Sequence, residues 1–180
     1  MSRNRFIGLA ALLIVVAGTA VGVALSATGA DPAVAAARRA TSRYQRVDVA
    51  ISGRYDLLVD ANKIACIDLP GTGGMGIHFV NGGLVGDPSV IAGKPEALVY
   101  APEKNGRMKL AALEYVVIRS AWDETHSGPP SLFGHTFNLT LSPNRFGLPA
   151  FYSLHAWIWK TNSAGMFVPW NPKVSCAGSR

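Results

Sequence analysis

Cysteine is close to absent, with two residues in a chain of 180. That excludes a disulfide-dense mini-scaffold, and no cysteine or histidine spacing matches a zinc knuckle. Charge is scarce as well. Asp, Glu, Lys and Arg make up 16% of the chain, against about 25% in an average soluble domain. With 49% hydrophobic residues, an intrinsically disordered chain is excluded. There is no internal repeat and no low-complexity segment, so a collagen-like array is excluded too, and the length leaves room for one domain. Acids are the rarer sign: 11 Asp and Glu face 17 Lys and Arg, a formal net charge of +6. The basic residues are dispersed, with only Arg38 and Arg39 adjacent. No basic stripe interleaved with aromatics is present, which argues against a nucleic-acid partner. Weak attraction to an anionic envelope accounts for the balance.

Familiar catalytic signatures are missing. Neither HExxH nor GxSxG occurs. Gly71-Thr72-Gly73-Gly74-Met75-Gly76 fits GxGxxG, but the dinucleotide version must open a helix, and Ile77-His78-Phe79-Val80 prefers strand. Asn138-Leu139-Thr140 has the form of a glycosylation sequon.

The chain does have an address. Met1 to Phe6 carries Arg3 and Arg5, Ile7 to Ser26 is uncharged and apolar, and small residues lead to Ala35. A basic start, an apolar middle and an A-x-A exit describe a secretory signal peptide over 1–35. The competing reading is an uncleaved membrane anchor, because about 20 apolar residues can span a bilayer. Either way residues 36–180 form one exported domain, secreted or held at a membrane through the N-terminal segment alone. In such an oxidising compartment Cys66 and Cys176 are expected to form one disulfide.

Within that domain, Tyr44, Val47, Ile51, Tyr55 and Leu58 recur at steps of three and four. That predicts a helix from about Ala35 to Tyr55. The rest reads as strands between turns. A short apolar run covers 64–69 and a glycine-rich turn 71–76. A strand follows over 77–80, with loop over 83–95. A hairpin joins 97–100 to 108–118 through Asn105-Gly106. A further strand falls within 132–141, and an aromatic one covers 151–159. One helix before several strands predicts an α+β fold. The helix packs on a curved antiparallel sheet or partial β-barrel, cone-like or cupin-like.

Four histidines and two carboxylates stand in apolar settings. On a strand, Glu114 shares one face with Ala112 and Val116, while Tyr115 lies on the other. Both faces are apolar, so the carboxyl is expected to be buried and to need a partner, a proton or a metal. His78 and His155 occupy other strands. If these strands share a sheet, His78, Glu114 and His155, with Glu96, can hold a divalent transition metal. Alternatively Glu114 and His155 form an acid–base pair acting on a small molecule. A buried Glu–His hydrogen bond that only orders the core is the third reading. Trp157, Trp159 and Tyr115 are candidates for lining an apolar ligand pocket, or for simple core packing. His126 in WDETH and His135 in FGHTF read as polar turn residues or pocket-rim residues.

The strings MGIHFV, PEALVY, LEYVV, LHAWIWK and the closing WNPKVSC together resemble a group of secreted bacterial proteins of unknown function. The resemblance runs from Cys66 to Cys176. That group carries an acidic residue after PEALVY, where Ala101 stands in this chain. The resemblance implies export and a shared domain, and it carries no activity.

Overall fold

A computed structural model describes residues 31–177, so the apolar segment read as signal peptide or anchor lies outside the described residues up to residue 30. Asp31 caps the first helix, α1 (Pro32–Thr41), by accepting from the Ala33 amide at 2.8 Å, with Pro32 in the first turn. That cap and proline fix the helix start, and α1 therefore crosses the residue-36 boundary expected for the domain.

The single helix expected to reach Tyr55 is broken into two. After α1 the chain tightens into a 3-10 turn, Ser42–Gln45, and becomes extended at Arg46 before α2 (Val47–Ser52). Side chains compete with the helix at the break. Thr41 Oγ1 donates to the Ala37 carbonyl and Ser42 Oγ to that of Arg39, bonds that bend or end helices. The Tyr44 carbonyl, freed from the helix, accepts the Tyr100 hydroxyl at 2.6 Å.

The strands are β1 (Asp56–Leu57), β2 (Cys66–Leu69), β3 (Gly73–Val80), β4 (Ala97–Pro102), β5 (Met108–Ile118), β6 (Ser131–Leu132), β7 (His135–Thr136), β8 (Asn138–Thr140) and β9 (Phe151–Ala156). Two short helices, α3 (Gly82–Val85) and α4 (Arg119–Asp123), interrupt them. All pairings are antiparallel. The main sheet runs β1-β3-β4-β5-β9-β8, with β2 also on β3. It stays open, so the α+β architecture holds as a sheet rather than a closed barrel. The strand expected within 132–141 is divided among β6, β7 and β8, because Phe133 and Gly134 adopt positive φ at a tight turn.

The glycine-rich segment is mostly strand, not turn. The turn closes at 69–72, where the Thr72 amide reaches the Leu69 carbonyl. Gly73 and Gly76 then lie in β3 with φ of +124° and +93°. A Cβ at Gly73 would stand 2.2 Å from the Asn171 carbonyl oxygen, and one at Gly76 would stand 2.6 Å from that of Tyr100. Glycine here permits close backbone approach. The C-terminal segment uses that room: Gly74 and Asn171 exchange backbone bonds at 3.1 and 3.0 Å. The Cys66–Cys176 disulfide ties the same segment to β2. Such a bridge is compatible with an extracytoplasmic location. No helix among the described residues is long and apolar enough to cross a membrane.

The two sheet faces differ. One packs Leu98, Tyr100, Leu113, Tyr115 and Leu154 against Ala37, Tyr44, Ala50 and Tyr55 of the N-terminal region. On the other, Val99, Ala101 and Ala112 meet Trp157 and Val174, with Ala111 inserted by a β-bulge opposite Val99 and Tyr100. That second cluster covers only part of its face and leaves the site described next.

Candidate functional site: a buried His–Glu–His cluster

Register explains why three distant residues meet. Glu114 in the long central strand pairs directly with His155 of β9 and with Ala97 of β4. Ala97 in turn faces Val80, which lies two residues from His78 on β3. Directly opposed residues share a face, as do residues two apart, so His78, Glu114 and His155 all project from the less covered side.

Their donor atoms lie within 4.8 Å of one another. His78 Nε2 stands 3.3 Å from Glu114 Oε2 and 3.4 Å from His155 Nε2. His155 Nδ1 stands 3.4 Å from Glu114 Oε1. The side chains keep 3%, 11% and 1% of their surfaces exposed, in the order His78, Glu114, His155. The imidazole rings meet edge to face, with centroids 5.7 Å apart. His78 Nδ1 is buried without a hydrogen-bond partner.

Burial pushes the Glu114 carboxyl upward. The His155 ring, the hydrogen bond from His78 and the Ser153 hydroxyl outweigh it and hold the group down at about 2. Burial likewise drives the His155 ring down, to about 4, against the attraction of Glu114. At neutral pH the carboxyl is ionised and the His155 ring neutral, the forms in which both bind cations.

Glu96 does not join this group. Its Oε2 accepts the Val116 amide at 3.0 Å, and burial raises its carboxyl to about 8. The aromatic candidates stand apart from the trio's pocket. The Tyr115 hydroxyl donates to the Ala92 carbonyl at 2.7 Å from the helix-covered face. Trp157 Nε1 donates to the Val168 carbonyl, and the indole stacks near His155 with centroids 6.3 Å apart. Trp159 Nε1 donates to Thr41 Oγ1, and the Arg38 guanidinium lies over its ring. His126 is an exposed turn residue stacked on Trp122 at 3.6 Å, and exposed His135 lies beside Phe167.

A pocket of about 280 Å³ opens beside the trio. Among the described residues, His78 and Glu114 are the only polar side chains lining it; its walls include Leu58, Val85, Phe146, Leu148 and Phe151. Sequence reasoning missed Phe146 and Leu148, which lie in the β8–β9 loop, where strand periodicity carries no information. It also gave Ser153 no role, although Ser153 lies two residues before His155 on the same face. Comparison with family models, characterised proteins and solved structures gave no match.

Proposed function

We propose that this is an exported metal-dependent domain, in which His78, Glu114 and His155 hold a divalent transition ion, zinc being the best fit, beside a small-molecule pocket. The observation that carries the reading is the spacing of the donor atoms. Hydrogen bonds involving a buried carboxylate and imidazoles are normally about 2.7–3.2 Å, yet the three closest contacts run from 3.3 to 3.4 Å. Ligands about 2.0–2.1 Å from a tetrahedral zinc stand about 3.3–3.4 Å apart. One ligating atom from each residue can be chosen so that all three lie within 4.8 Å of one another, close enough for a single ion to draw them in, while the direct contacts are loose for a hydrogen-bonded cluster.

Two histidines and one carboxylate leave a fourth position open. His78 and Glu114 border the pocket, so that position serves a water or a ligand arriving there. A metal so placed supplies Lewis-acid chemistry. The protein supplies the rest. The Ser153 hydroxyl favours the ionised carboxylate, and His155 Nδ1 faces Glu114 Oε1 at 3.4 Å, the kind of contact that fixes a ligating ring.

The test is metal content of the protein purified from the exported fraction, with zinc affinity measured against a competing chelator. One zinc per chain is expected, with occupancy lost in Glu114→Gln and His155→Ala while both variants retain the wild-type circular dichroism. A wild type that is purified metal-free and takes up no zinc would remove the metal reading and leave Glu114 and His155 as a metal-free pair.

A further inference from the structure

Resting on the metal reading above, we infer that the pocket binds a small apolar carboxylate, an alkyl or single-ring aryl acid, with its head group at the metal and its body against the aliphatic and aromatic wall. Three observations converge on that class.

The first is the division of polarity. Among the described residues, the side chains lining the pocket are apolar apart from His78 and Glu114, and both lie in the trio. A sugar, nucleoside or peptide would bury hydroxyls or amides against Leu58, Val85, Phe146, Leu148 and Phe151 with nothing to pair them, at a cost of a few kcal/mol each. A ligand with one polar end leaves no such group stranded. The second is size. A volume of about 280 Å³ lies just below the ~300–1,000 Å³ of drug-sized sites. That admits a chain about as long as octanoate and excludes fused-ring lipids. The third is charge. A divalent ion with the single Glu114 carboxylate leaves a net positive centre under a low-dielectric wall, which favours an anionic head over a neutral or cationic one.

The wall is also built in advance. Asn144 Nδ2 donates to the Leu148 carbonyl at 2.8 Å, and its Oδ1 accepts the Phe146 and Leu148 amides at 3.2 and 3.3 Å. Between them Arg145 donates to Asp60 Oδ2 at 2.6 Å, and the Asp60 carboxylate is itself held by the Asn62 and Ile64 amides. A loop fixed at both ends holds Phe146 and Leu148 over the trio with little ordering left to do on binding.

The experiment titrates sodium octanoate, by calorimetry, into the full exported protein in zinc-loaded and chelator-stripped forms, with 1-octanol as the neutral control. Octanoate is expected to bind the zinc-loaded form at least about tenfold more tightly than the stripped form, and more tightly than octanol binds. Leu148→Trp and Val85→Trp, which fill the pocket from half-buried positions, are each expected to weaken octanoate by about tenfold or more while zinc affinity stays unchanged. Zinc binding without octanoate binding, octanoate affinity indifferent to zinc, or octanoate binding that survives both Trp variants overturns the inference and leaves the metal reading standing. Failure of zinc itself to bind overturns both.

Discussion

Replacing Glu96 by Gln should make the protein more stable at neutral pH. Glu96 is buried just before β4, where its carboxyl is raised to about 8. Burial is the main cause; the Asp87 and Glu114 carboxylates add to it, and the bond from the Val116 amide opposes it. In the unfolded chain the same group titrates near 4.3. Between those values the folded protein keeps a proton that the unfolded chain has released. The stability contributed by the protonated group is therefore complete at low pH and is lost as pH rises toward 8, at about 1.4 kcal/mol per pH unit. From pH 4.5 to 7 the loss amounts to about 3 kcal/mol.

Gln does not ionise, and its carbonyl oxygen can still accept the Val116 amide. Urea unfolding at a series of pH values, with the disulfide intact, gives the comparison. The two proteins should coincide near pH 4.5. The variant should lead by about 3 kcal/mol at pH 7, and the gap should stop growing above pH 8. Every other ionisable group is common to the two proteins, so the difference between the curves isolates Glu96. Parallel curves from pH 5 to 8, or a variant less stable throughout, would show that the folded protein holds no proton at Glu96.

Other outcomes follow from the same contacts. Removing the bridge with Cys66→Ala and Cys176→Ala opens a loop between positions 110 apart and should lower unfolding free energy by about 4–5 kcal/mol in the chain-entropy account, read by denaturant titration. Gly76→Ala drives a methyl to 2.6 Å from the Tyr100 carbonyl oxygen at positive φ. It should cost at least about 2 kcal/mol, visible as a fall of several degrees in melting temperature; an unchanged melting point would contradict the close approach. Trp157→Phe removes one of two donors to the Val168 carbonyl, the other being Asn162 Nδ2, and should cost about 0.5–1.5 kcal/mol by the same assay.

What could be read in the chain beforehand depended on how local its cause was. The strand over 108–118 keeps its expected boundaries, because a long β-branched and apolar run after Asn105-Gly106 carries its own turn and period. Burial of Glu114 was legible for the same reason: with apolar residues on both sides of the alternation, neither face could be solvent. The helix break near Ser42 was not legible. Its carbonyl and hydroxyl partners, Tyr100 and Trp159, come from β4 and from the segment after β9. The glycines at 73–76 read as a turn in the sequence because turn chemistry and close approach select the same residue, and the approaching segment lies far along the chain, around Asn171. Glu96 shared the apolar setting of Glu114, but its carboxylate is occupied by a neighbouring backbone amide, a matter of register rather than composition.

The crossing of Asn171 over Gly74 has a consequence for the order in which the molecule comes together. A strand laid down early is completed only when the distant segment around Asn171 has been made, and the covalent clasp at Cys176 fastens just beyond. Stepwise assembly as the polypeptide emerges is thereby denied its closing move. The sheet can be finished only in a single late event, once both ends of the domain are present in the same compartment.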